Sequence, residues 1–154
     1  MIAELGHFAL ILAFVLALVQ GTIPLAGAHR HTVGRDDGGW IALAGPAALG
    51  QFVFIALAFA ALTALFVGAD FSVMVVAANA NSKLPLIYKI SAVWGHHEGS
   101  MVLWVLILAL FGLCVAVFGS NLPATFRARA LGVQGLISAG FLFFMLLTSN
   151  PFAR

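Results

Sequence analysis

Four stretches of this sequence, Phe8 to Ala28, Trp40 to Val67, Ser100 to Phe118 and Ala130 to Thr148, contain no Lys, Arg, Asp or Glu. Each is long enough to cross a hydrocarbon layer about 30 Å thick, at about 1.5 Å per helical residue. Lipid offers no partner to a backbone N–H or C=O, so segments that cross it as single runs fold as helices that satisfy themselves. The expected fold class is therefore all-α: a polytopic membrane protein with about four transmembrane helices and one long loop over residues 68–99. Composition agrees, since 63% of the 154 residues are hydrophobic and only 8% are charged, which excludes an ordinary water-soluble domain.

The sequence pI near 9.2 comes from a net charge of +2. Its seven Lys and Arg are scattered through the connections, so no basic stripe could follow a phosphate backbone and nucleic acid is excluded as a partner. The single cysteine, Cys114, lies within an apolar run and reads as a small buried hydrophobe. Gln20, Gln51 and Gln134 place one amide in three of the four stretches, the pattern of hydrogen bonds between membrane helices. Gly132, Gly135, Ala139 and Gly140 give the fourth stretch a small face for close helix packing. The first stretch is read as a retained span rather than a cleaved signal, because Glu4 precedes it without any Lys or Arg and its apolar run is too long.

Topology follows from the basic residues, which prefer the cytoplasmic side. The connection His29 to Gly39 holds Arg30 and Arg35, and the connection Gly119 to Arg129 holds Arg127 and Arg129. The much longer connection Gly68 to Gly99 holds only Lys83 and Lys89. Both ends and the long loop are therefore expected outside, with Arg154 pulling weakly the other way. His29 and His31 read as solvated loop residues. Within the long loop, Phe71 to Val76 is β-prone, Ala77 to Ser82 has turn chemistry, and Lys89 to Val93 begins an interfacial helix with Tyr88 and Trp94 as aromatic anchors.

The run Trp94-Gly95-His96-His97-Glu98-Gly99-Ser100-Met101-Val102-Leu103-Trp104 concentrates titratable groups at the edge of an apolar stretch. Such groups need a partner, a ligand or open water to offset their desolvation. With a helix starting near Gly95, His97, Met101 and Trp104 share one face and Trp94, Glu98 and Met101 a neighbouring strip, leaving His96 to point elsewhere. Two readings of that face stay open. One is a vestibule for a flat, anionic, hydrophobic ligand such as a porphyrin, lined by Trp94, His97, Glu98 and Trp104, none of them an axial ligand. In the other, Glu98 complements the helix dipole and His97 satisfies a loop carbonyl. Zinc is disfavoured because adjacent histidines lack the i, i+4 spacing of a helical zinc motif.

The same run resembles the W-G-x-H-E-G-S-x-x-x-W signature of the CcmF family, the large membrane subunit of the bacterial cytochrome c haem lyase. His97 falls on the signature histidine and His96 on its variable position. Asp70-Phe71-Ser72-Val73, Asn79 to Pro85 and Tyr88-Lys89 resemble the family's first large periplasmic loop, and Leu147 to Phe152 the end of its fourth span. The resemblance implies a multi-pass location in the cell inner membrane with the motif loop in the periplasm. It also implies a role supporting the attachment of haem to apocytochrome c, with the haem chaperone CcmE and the subunits CcmH and CcmI as partners. The family continues far beyond 154 residues, into a tryptophan-rich segment and haem-ligating histidines, so the chain is expected to correspond to an N-terminal portion. It is expected to bind no haem alone, to work docked to a remainder of CcmF on a second chain, and to position groups rather than react, since no cysteine here is placed to attack. The alternative from another class is a subunit that transports haem or a small hydrophobic solute, which would need polar groups at several depths of the spans.

Overall fold

The computed structural model describes residues 1–34 and 38–154; Arg35, one of the basic residues used for the topology, lies outside them. The described residues are helical over nearly all of the four apolar stretches, with a break at Leu43 in the second and the last helix ending at Leu147, and contain no strand. The spanning helices are α1 (Ile2–Thr32), α3 (Ala44–Val67), α6 (His97–Phe118) and α7 (Ala124–Leu147), with the short helices α2 (Gly38–Ala42), α4 (Met74–Asn79) and α5 (Leu86–Ala92) between them. They pack as a ring in which α1 lies between α3 and α7, and α6 closes the ring against both α3 and α7.

Small side chains make this ring possible. Ala3, Ala9, Leu10, Ala13 and Ala17 form the inward stripe of α1, and Ile55, Ala58, Leu62 and Leu65 that of α3. Lipid gives no hydrophobic drive for helix association, so close van der Waals approach and interhelical hydrogen bonds supply the cohesion. A Cβ on Gly135 would lie 2.7 Å from the Gly21 nitrogen and 2.9 Å from the Ala17 oxygen, so α7 meets α1 backbone to backbone there. Beside this contact the Gln20 Nε2 donates to the Leu131 oxygen at 2.7 Å. The Gln134 amide donates to the Leu108 oxygen of α6 and fills the space a Gly112 side chain would take. Two of the three glutamines thus join helices as expected. Gly140 departs from the small-face reading, because open space surrounds it.

The helices run beyond the uncharged stretches. His29, Arg30 and His31 form the last turn of α1 rather than a loop, and Arg127 and Arg129 lie inside α7. Long basic side chains reach the headgroup layer from a helix end, so the backbone stays helical where the apolar run stops. The Arg30 guanidinium lies 4.9 Å from the Trp40 ring centroid, a cation–π contact.

The connection between α3 and α6 folds over the other end. The last turn of α3 closes with Ala69 N–H donating to the Phe66 oxygen and Asp70 N–H to the Leu65 oxygen, the paired bonds of a Schellman termination. Ala69 takes the left-handed conformation there, φ 50°, in the place where glycine is usual. The Asp70 carboxylate then accepts from the Ser72 hydroxyl at 2.6 Å and the Ser72 N–H at 3.1 Å. These bonds, the hydroxyl first, hold the Asp70 carboxyl below the usual aspartate range. The β-prone run Phe71 to Val76 forms no strand. Its second half enters α4, where Val75 and Val76 are buried against the bundle, and tertiary packing overrides a local propensity in so short a segment. Pro85 starts α5, an exposed helix carrying Leu86, Ile87 and Tyr88 outward, as an interfacial helix requires.

Candidate functional site

The motif occupies the corner between α5 and α6, and two close approaches fix that corner. A Cβ on Gly99 would sit 1.6 Å from the Val93 oxygen, so the first turn of α6 lies directly on the chain that precedes it. The His96 ring stacks on Phe66 of α3, with centroids 5.4 Å apart and planes 21° from parallel. Its Nδ1 pairs with the Ala92 oxygen at 2.9 Å. The loop carbonyl expected to engage His97 is therefore met by His96, because α6 begins at His97 and His96 is its extended N-cap residue. Two residues before Gly99 in sequence, His97 faces outward.

His97 heads a groove between α6 and α7. It lines a cavity of about 270 Å³ with Ser100, Met101, Trp104 and Phe141, and its ring meets Phe144 edge-on at 6.2 Å. Two further hollows continue the groove. One of about 400 Å³ lies between Met101, Gly140, Phe141 and Phe144, and one of about 330 Å³ between Trp104, Phe111, Ile137 and Phe141. Trp104 is 67% exposed. The shared face of His97, Met101 and Trp104 exists as the helical spacing implies. Trp94, 43% exposed in the turn before α6, and Glu98, half-buried in the first turn, do not line the groove.

Sequence reasoning missed the opposite wall, Ile137, Phe141 and Phe144. These residues repeat the i, i+4, i+7 spacing of the α6 face, so a signal was present, but nothing in the sequence paired the two helices. Chemically, the groove offers flat aromatic surfaces and one imidazole at its polar mouth. No group of three or more His, Cys, Asp or Glu able to hold a metal ion occurs among the described residues. Cys114 is partly buried farther along α6.

No family model matches the chain. Among known proteins it is 57% identical over all 154 residues to the cytochrome c-type biogenesis protein ccl1 of Rhodobacter capsulatus, 56% to CcmF of Pseudomonas aeruginosa and 42% to CcmF of Escherichia coli. In each case the match takes in the whole of this chain and 23% of the relative. The solved structure of the cytochrome c haem lyase CcmF superposes with a TM-score of 0.87 at 27% identity, over 99% of this chain and 25% of that one. The chain is thus similar along its whole length to CcmF-type cytochrome c biogenesis proteins, and it spans 23% of the length of those relatives.

Proposed function

We propose that this chain is the N-terminal membrane unit of a haem lyase for c-type cytochromes, presenting the His97 groove to haem on the periplasmic side of the cell inner membrane. The observation that carries the reading is the similarity of this chain, over all 154 residues, to CcmF-type proteins at 57% and 56% identity. Haem is the substrate in this scheme, and the groove suits it as a surface. Aromatic and aliphatic side chains accept the flat ring, and the imidazole sits where the anionic edge of a porphyrin would emerge into water. One imidazole without a second ligand orients haem rather than holding its iron. Gly99 and His96 set the position of His97, so the residues of this chain act by placement.

The remaining portion of a CcmF protein supplies the iron ligands in this reading. CcmE delivers haem, and CcmH and CcmI bring the apocytochrome c. Trp94 and Glu98 stand beside the groove and face those partners rather than the porphyrin. A transporter of haem or of a small hydrophobic solute finds less support, because the buried polar side chains Gln20, Gln51 and Ser138 are confined to about two turns of the bundle instead of marking a path through it.

Cells relying on a whole-length CcmF that carries His97→Ala with Glu98→Gln should lose covalently attached haem by on the order of tenfold or more, since a displaced reactant costs rate steeply. Haem staining of separated membrane and periplasmic proteins reads this directly. Normal staining at normal CcmF abundance sinks the assignment. In the same reading, the purified 154-residue chain shows no Soret absorption when expressed without companions.

A further inference from the structure

We infer that the bundle holds a buried hydration site at mid-depth, bounded by Gln20 of α1, Gln51 of α3 and Ser138 of α7. All three residues have no exposed surface. The Gln20 Nε2 is spent on Leu131, but the Gln20 Oε1, both amide atoms of Gln51 and the Ser138 Oγ have no protein partner. The hydroxyl is telling. Thr22 and Thr63 donate back to the Leu18 and Phe59 carbonyls of their own helices at 2.7 and 2.8 Å, the usual resort of a hydroxyl in a membrane span. Ser138 forgoes that bond.

The register spreads the three groups over about two turns of the bundle, since the Gln20 amide is held at Leu131, about two turns before Ser138 on α7. A Cβ on Gly50 would meet the Leu16 side chain at 2.9 Å, so Gln51 follows directly on the point where α3 passes Leu16. A Cβ on Gly135 would meet the Ala17 oxygen and, at 3.0 Å, the Gln20 Cβ, and Ser138 follows one turn later on the same buried stripe of α7. From α6 the ring closes with Val105 and Ala109, both buried and neither polar.

Each unpartnered buried polar group costs about 1–3 kcal/mol, and lipid supplies nothing to relieve it. A direct contact between two of these side chains relieves one pair and leaves other atoms alone. Water donates two hydrogen bonds and accepts two, and a buried water characteristically takes two to four polar partners. Three oxygen acceptors, an NH₂ donor and a rotatable hydroxyl on three helices match that requirement. The ligand class is therefore water itself, one or a few molecules shared by α1, α3 and α7.

The test is water-edited solid-state NMR of the full chain, ¹⁵N-labelled at glutamine and alanine, in lipid bilayers. Magnetisation from water should reach the Gln51 and Gln20 side-chain amides severalfold faster than the Ala13 and Ala58 backbone amides, which are buried in the same bundle. Gln51→Leu should slow the transfer to Gln20 severalfold. Transfer to Gln51 no faster than to the alanines would overturn the site, as would a Gln20 signal untouched by Gln51→Leu in a folded variant. The measurement on the unaltered chain stands by itself if that variant does not fold.

Discussion

Gly99 leaves no room for a methyl group, and its neighbour there is a backbone carbonyl that cannot swing aside. Gly99→Ala should destabilise the chain by about 3 kcal/mol or more, the upper end for overpacking, although Ala is about 1 kcal/mol the better helix former. The sign of the Tm change in detergent checks this, because a merely permissive glycine would give a small rise. Asp70 makes a different residue-level prediction. Its carboxyl is held low, first by the Ser72 hydroxyl and then by the Ser72 N–H. A depressed folded pKa stabilises the turn above the ordinary carboxylate range and loses that contribution as pH falls through the folded value. Amide exchange at Ser72 should therefore quicken only below the usual aspartate range, and Asp70→Asn should abolish that acid dependence. The motif was legible in the sequence because clustered charge stands out in an apolar chain. The division of labour between its histidines was not, since the partner of His96 is Phe66, thirty residues earlier and on another helix.

At the scale of the helices, two glycines of α7 separate packing from propensity. Gly135→Ala forces α1 and α7 apart at backbone contacts and should cost about 1–3 kcal/mol, whereas Gly140→Ala meets nothing and should gain about 0.5–1 kcal/mol. Chemical unfolding of both variants in the same detergent gives the comparison. Sequence alone treated these glycines as equivalent, because a small residue shows that close approach is allowed and not on which side it occurs. The four spans themselves were readable, since uncharged runs of this length have one fold available in lipid. Their ends were not: Arg127 and Arg129 read as loop residues, yet the α7 backbone continues through them. Phe71 to Val76 misled for the converse reason, its valines serving burial in a helix instead of a strand.

For the whole molecule, an even number of crossings gathers Met1, the connection from Gly68 to His96, the His97 mouth and Arg154 at one end of the bundle, with Arg30 and Arg129 at the other. In a Cys114→Ser background, single cysteines at positions 83 and 97 should react with an impermeant thiol reagent from the same side of the membrane, and a cysteine at position 129 only from the opposite side. Reaction of positions 83 and 129 from one side would contradict the four-helix arrangement. The Glu4 carboxylate pairs with both the Met1 amine and the Arg154 guanidinium, and nearby the Asn150 amide meets the His7 ring at 3.1 Å. A donor and an acceptor dye placed at positions 1 and 154 would therefore exchange excitation with near-maximal efficiency while the ring is closed. Any parting of α1 from α7 would register as a brightening of the donor, turning this clasp into an optical gauge of bundle integrity.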